Sequence, residues 1–168
     1  MGAGERTPQT EEERQTQALA WALSHINRRE RTTAEVRGHL ARKGVSETTV
    51  ESVVQELVTQ RLVDDGRFAE MFVADKRTLE QWGSERIRRG LLERGVDRDL
   101  VERAIADEDP AGEDPQTELD RAVELLRRRF PDPPRERRDR DRALSMLLRK
   151  GYESELAVDA LAAHARAA

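Results

Sequence analysis

The chain has 168 residues, of which 38% are charged, 36% hydrophobic and only 4% aromatic, with a net charge of −4. So few large apolar side chains suit thin helical layers under a charged surface better than one thick core. The lack of cysteine excludes disulfides, thiolate metal ligands and a cysteine nucleophile, and the net acidity argues against indiscriminate nucleic-acid binding while leaving room for a local basic face.

Residues 1–15 are polar, contain Gly, Pro and Glu, and read as a disordered tail. They hold no apolar signal-peptide core, and no run in the chain approaches the roughly 18 apolar residues of a membrane span. A cytoplasmic protein is expected. A first helix is expected over about 15–28, where Leu19, Ala22, Leu23 and Ile26 recur at helical spacing. Thr32-Thr33-Ala34-Glu35 fits a capping box that opens a second helix. That helix ends at Gly44, because glycine takes a left-handed C-terminal position without steric penalty. A third helix, about 47–61, carries Val50, Val53, Val54 and Leu57.

Asp64-Asp65-Gly66-Arg67-Phe68-Ala69 opens the next unit. An aspartate caps its first helix, with Phe68, Phe72 and Val73 facing the core. Trp82-Gly83-Ser84 breaks the chain, with Gly83 or Ser84 as the next N-cap. Helices follow at about 84–94 and 98–107. The stretch from Asp107 to Gln116, with Pro110, Gly112 and Pro115, reads as a connection, and the linker proper is placed at 110–116. A helix at about 117–129 precedes the stiff break Pro131-Asp132-Pro133-Pro134, and helices at about 137–150 and 153–166 finish the chain. No segment sustains period-two alternation, so no sheet is expected.

Three glycines set a common register. Gly44, Gly95 and Gly151 each follow a basic residue at the end of an amphipathic helix. Eight residues earlier stand Val36, Ile87 and Ala143, and four earlier Leu40, Leu91 and Leu147. Six later come Val50, Val101 and Ala157, nine later Val53, Ala104 and Ala160, and ten later Val54, Ile105 and Leu161. Register-matched similarity of this kind marks a repeated unit. The expected fold is all-α: a tandem array of three three-helix repeats, at 16–62, 63–109 and 117–168, elongated or crescent-shaped and monomeric.

With the repeats and the Leu62-Val63-Asp64-Asp65-Gly66-Arg67-Phe68-Ala69 junction, the chain resembles the RecX family over about residues 16–166. Units of that family end in a Lys/Arg-Gly step. An Asp-Asp-x-Arg-Phe-Ala junction, here Asp64, Asp65, Arg67 and Phe68, opens the middle unit. A Gly-x-x-x-Ile-x-x-x-Leu-x-x-x-Gly pattern follows, here Gly83, Ile87, Leu91 and Gly95. The third unit departs most, through its longer Pro- and Arg-rich stretch 127–142. The resemblance implies a regulator of homologous recombination, DNA repair and the SOS response. Such a protein binds the RecA filament on single-stranded DNA, lodges in its groove, and restrains ATPase and strand exchange without a cofactor or chemistry of its own.

The charges are uneven. The second helix of each unit collects the bases, among them Arg37, Arg42 and Lys43, then Arg86, Arg88, Arg89 and Arg94, then Arg137, Arg138, Arg140, Arg142, Arg149 and Lys150. Apart from Arg98, the third helices start acidic or neutral. Lys43, Arg94 and Lys150 meet the negative end of a helix dipole. Arg86, Arg88 and Arg89, with Arg137, Arg138, Arg140 and Arg142, fit a strip that binds phosphates or acids, and equally a solvated face. DNA, single- or double-stranded, is a second expected partner; a membrane is not.

Asp64 and Asp65 read as helix caps in preference to paired catalytic carboxylates. His25, His39 and His164 lack metal-ligand spacing. No Gly-x-x-x-x-Gly-Lys phosphate loop occurs, so any ATP hydrolysis belongs to a partner. Phe68 and Phe72 read as core, and Trp82 either packs between units or meets a partner. The alternative function is a helix-turn-helix transcription regulator, but its recognition helix should start with Arg, Lys, Asn or Gln. A small-molecule enzyme lacks any nucleophile, base or metal constellation.

Overall fold

The computed structural model describes residues 10–106 and 117–166. Among them the regular elements are helices: α1 (Glu11–Ile26), α2 (Thr33–Arg42), α3 (Glu47–Thr59), α4 (Asp65–Thr78), α5 (Ser84–Glu93), α6 (Arg98–Ala106), α7 (Glu118–Arg129), α8 (Arg137–Lys150) and α9 (Ser154–Arg166). Of the apolar positions counted from the three glycines, all but Leu161 are buried. The expected tail is too long. Thr10 accepts from the Glu13 amide while the Glu13 side chain reaches back to the Thr10 amide, so this capping box starts α1 at Glu11. Residues 1–9 and the linker 110–116 lie outside the described residues.

Contacts divide the chain into two compact units. One holds the described residues through Phe68 together with Arg94–Val96; the other holds Ala69–Glu93 and the described residues from Asp97 onward. The division falls inside α4 and so departs from the three-repeat boundaries. In the first unit α1, α2 and α3 pack on one another around Ala18, Ala22, Val36, Leu40, Val53 and Leu57. The Thr32–Glu35 capping box opens α2. At the other end, Gly44 donates to the Ala41 carbonyl and Val45 to the Leu40 carbonyl, the paired bonds of a left-handed C-terminal cap.

The first unit extends past α3 because polar groups on α2 need partners. Thr33 donates from its amide and its hydroxyl to the two oxygens of Asp65, each at 2.8 Å. The Thr32 hydroxyl donates to the Arg94 carbonyl at 2.7 Å. Gly95 lies so close to Ala34 that a Cβ there would overlap the Ala34 Cβ. Asp64 caps its own helix, accepting from the Arg67 amide at 3.0 Å. Both aspartates are thereby consumed at helix starts, as the capping reading requires.

In the second unit α7 and α8 both pack on α9, with Leu125, Leu126, Ala143, Leu147, Ala157 and Ala160 between them. The Phe72 ring fits against Gly90, bringing α4 onto α5. The start of α5 meets the end of α8. The amides of Gly83 and Glu85 donate to the carbonyls of Lys150 and Gly151 at 2.8 and 3.1 Å. Ser84 gives its amide and its hydroxyl to Glu118, each at 2.7 Å. Here too the glycine closing a later second helix, Gly151, presses on an earlier one, at Arg86. The two junctions share one design: a hydroxyl residue at the first position of one repeat's second helix is gripped by an acid at the first position of the next repeat's first helix. Orphan donors at one helix start thus find carbonyls or carboxylates.

Candidate functional site

The structure separates the seven arginines named from the sequence. Arg86 lies with its guanidinium 4.0 Å from the Trp82 ring centre and donates to the Arg149 carbonyl at 3.1 Å. Arg88 grips Glu102 bidentately at 2.7 and 3.1 Å and also pairs with Glu85. The hydrogen bond to Glu102, the largest cause, raises the Arg88 pKa and in turn lowers that of Glu102. Both side chains are thus tied within their own unit, although Arg86 stays exposed and Arg88 half-buried. Arg89 alone is exposed without such ties.

Helix α8 behaves differently. Arg137, Arg138, Arg140 and Arg142 are all exposed. Three of them line an open groove of about 930 Å³ between the end of α7 and α8: Arg137, Arg138 and Arg142. Arg129, Arg149 and Lys150 join them, Phe130 and Met146 supply apolar lining, and Asp141 is the acid present. Arg140 turns to the opposite flank of α8, toward α9. Arg129, Arg137 and Arg138 have no carboxylate at ion-pair distance among the described residues; Arg142 reaches Asp139 at 3.7 Å while staying 69% exposed. Interleaved Asp139 and Asp141 thus leave this face positive. Lys150 is less free, since it donates to the Glu80 carbonyl at 2.6 Å.

The turn that shapes the groove is fixed from behind. Buried His164 hydrogen-bonds through Nε2 to the Phe130 carbonyl at 2.8 Å. Such a row of guanidinium groups over an apolar lining can hold phosphates through charge-assisted bonds and can stack against bases. Arg129 lies in the Pro- and Arg-rich stretch 127–142 but is not among the arginines named from the sequence as binding residues.

Other candidates are accounted for internally. Trp82 is packed, with Lys76 Nζ 4.7 Å from its ring centre and Phe72 edge-on at 6.3 Å. His25 and His39 stack on each other, ring centres 4.0 Å apart and 3° from parallel. Burial is the largest cause lowering both pKa values; Arg31 and Lys43 respectively come next. Among the described residues no cluster of His, Asp and Glu could hold a metal, and no helix is long and apolar enough to cross a membrane.

Comparison with known families matches residues 18–57 to the first three-helix domain of RecX and residues 64–105 to the second. The regulatory protein RecX of Mycobacterium sp. strain KMS is 33% identical over 158 residues, covering 90% of this chain and 84% of that protein. That of Mycobacterium avium strain 104 is 32% identical over 157 residues, covering 92% and 88%. In fold, the chain is similar to the crystal structure of RecX from Lactobacillus salivarius, with a TM-score of 0.76 at 20% identity over 92% of this chain and 98% of that one. The shared helical triplets, the matched domains and the identity across most of both lengths lead to one assignment: the chain belongs to the RecX family.

Proposed function

We propose that this protein binds the RecA filament on single-stranded DNA and restrains its ATPase and strand exchange, with the α7–α8 groove as the face that meets DNA phosphates. Family membership supports the partner. The observation that carries the site is the set of Arg129, Arg137, Arg138 and Arg142 around one groove with little internal neutralisation. The earlier expectation gave α5 an equal share; its Arg86 and Arg88 are engaged within their own unit, so only Arg89 remains as a contributor there. The protein works by occupancy, as a cytoplasmic monomer without a cofactor.

The test is a titration of RecA–single-stranded-DNA ATPase with the wild type and with Arg138→Ser/Arg142→Ser. Binding to filament, free RecA and bare single-stranded DNA is measured in parallel by anisotropy at several salt concentrations. Inhibition by the wild type, weaker in the variant and with a flatter salt slope, is expected, because each lost phosphate contact removes about 0.7 from the slope on single strands. Equal inhibition and an equal slope would remove the groove from the interface, and tighter binding to bare DNA than to filament would refute the filament reading.

A further inference from the structure

Seven residues before the closing glycine the first two units carry arginine, and seven after it glutamate: Arg37 with Glu51, and Arg88 with Glu102. Each pair is bidentate, with bonds of 2.7 and 3.1 Å. In the third unit the same two positions are Leu144 and Val158. A surface ion pair repeated twice has become an apolar pair, and Val158 is 53% exposed. Both side chains line a groove of about 720 Å³ between α8 and α9. Ten residues after the glycine the contrast recurs. Val54 and Ile105 are buried, whereas Leu161 is only half-buried and lines this same groove.

Solvent gains nothing from contact with Leu144, Val158 and Leu161, and an exposed helix face ordinarily carries polar side chains. This one is open and apolar. Its rim, however, is cationic: Arg135, Arg137 and Arg140 border it, none with a carboxylate at ion-pair distance among the described residues, against the single acid Asp141. The small, exposed Ala162 and Ala165 of α9 leave room along this groove for a further helix to pack. Arginine grips carboxylates and phosphates alike, but this lining is aliphatic, with no aromatic ring on which a base could stack, and so favours a protein segment.

We infer that the α8–α9 groove docks an amphipathic helix of a partner protein whose apolar stripe is flanked by aspartate or glutamate. The apolar stripe covers Leu144, Val158 and Leu161, and the flanking acids meet Arg135 and Arg140. This goes beyond the filament reading, and its test contains neither RecA nor DNA. The probe is a fluorescein-labelled helical peptide of about 18 residues, long enough to hold some helix in water. It carries leucines at i, i+3, i+4 and i+7 with glutamate on both flanks, and a second peptide has lysine in place of every glutamate.

Anisotropy with the full-length protein should show binding of the Glu peptide and little of the Lys peptide. Leu144→Arg/Val158→Glu installs the ion pair that the other two units already carry, so the fold is retained; circular dichroism checks this. That variant should weaken the Glu peptide by about tenfold or more, the usual effect of losing an interface centre. Arg135→Ser/Arg140→Ser should narrow the preference between the two peptides. Absence of Glu-peptide binding, equal binding of both peptides, or unchanged binding by Leu144→Arg/Val158→Glu would overturn the inference. So would self-association in sedimentation velocity that this variant abolishes, which assigns the groove to a second copy, or displacement of the peptide by a single-stranded oligonucleotide.

Discussion

Alanine at Gly44, Gly95 and Gly151 in turn separates backbone strain from crowding at the junctions. The three glycines share a left-handed backbone, with φ of 77°, 75° and 91°. An L-residue there costs roughly 1–2 kcal/mol. A Cβ on Gly44 meets nothing within 4 Å, so Gly44→Ala bears that strain alone. On Gly95 the new methyl overlaps the Ala34 Cβ, and on Gly151 it overlaps the Arg86 Cβ and comes to 2.6 Å from the Arg86 amide nitrogen. Overpacking adds roughly 1–3 kcal/mol, for a total of about 2–5 kcal/mol. Gly151→Ala should reach the upper end, because a helix backbone yields less than a methyl group. Urea unfolding followed by circular dichroism should give the order Gly44 below Gly95, and Gly95 at or below Gly151. The crowding is isolated by Ala34→Gly, which alone costs about 1 kcal/mol in a helix but removes the atom that Gly95→Ala strikes. The double mutant should be more stable than additivity allows by roughly 1–3 kcal/mol. If Gly95→Ala costs no more than Gly44→Ala, or the cycle shows no coupling, the close approach of α2 and the Gly95 turn is wrong.

Three further outcomes follow from the same geometry. Folding holds the His25 and His39 pKa values below the usual 6.5, so the unfolded chain binds more protons; stability is full above about pH 6.5 and declines as pH falls below it. Urea midpoints at pH 7.5 and 5.5 should show that loss, and His25→Gln/His39→Gln should flatten it; an unchanged slope would place the acid sensitivity elsewhere. Arg88→Ser should lower stability by up to about 1 kcal/mol and leave filament affinity alone, whereas Arg138→Ser/Arg142→Ser should do the reverse, and a swap of these effects between the two variants contradicts the assignment of α5 to structure and α8 to binding. Asp65→Ala and Glu118→Ala each strip acceptors from two donors of Thr33 or Ser84 and should cost about 1–3 kcal/mol in chemical denaturation; silence at either position would mean that water replaces the acid.

The helices were legible because each one is punctuated locally. Thr32 and Glu35, the glycines after α2 and α8, and the Pro-rich break before α8 act within a few residues, and the observed limits of α2 to α9 lie close to the expected ones. Thr10 is a comparable signal, but the Gly- and Glu-rich run around it masked the capping box and put the helix start too late. The core was legible through register, since positions fixed to three glycines became Leu40, Leu91 and Leu147 inside. Side-chain commitment was not. Arg86, Arg88 and Arg89 look alike in sequence, and what divides them is the distant Glu102, Trp82 and the Arg149 carbonyl. The grip of Asp65 on Thr33 spans 32 residues and carries no local pattern.

Repetition itself supplies the missing discrimination. When one unit is copied, positions that keep the array together must stay the same or change as complementary pairs, because each junction asks for the same bonds. Thr33 with Asp65 and Ser84 with Glu118 changed in this way: both partners differ, and the hydroxyl-to-carboxylate grip persists. Arg37 with Glu51 and Arg88 with Glu102 did not change at all. Leu144 with Val158 also changed as a pair, to an apolar couple of which Leu144 packs partly against the core while Val158 stays 53% exposed. The α8 arginines depart in the same direction. Where α5 spends Arg86 and Arg88 on its own unit, α8 leaves Arg137, Arg138 and Arg140 without carboxylate partners. Internal packing leaves Val158 and the α8 arginines unexplained, and both flanks meet at one helix: a cationic flank toward α7 and an apolar, arginine-rimmed flank toward α9. A helix with two such flanks can hold a phosphate backbone and a protein segment together, and two weak contacts on one rigid element strengthen each other through effective concentration.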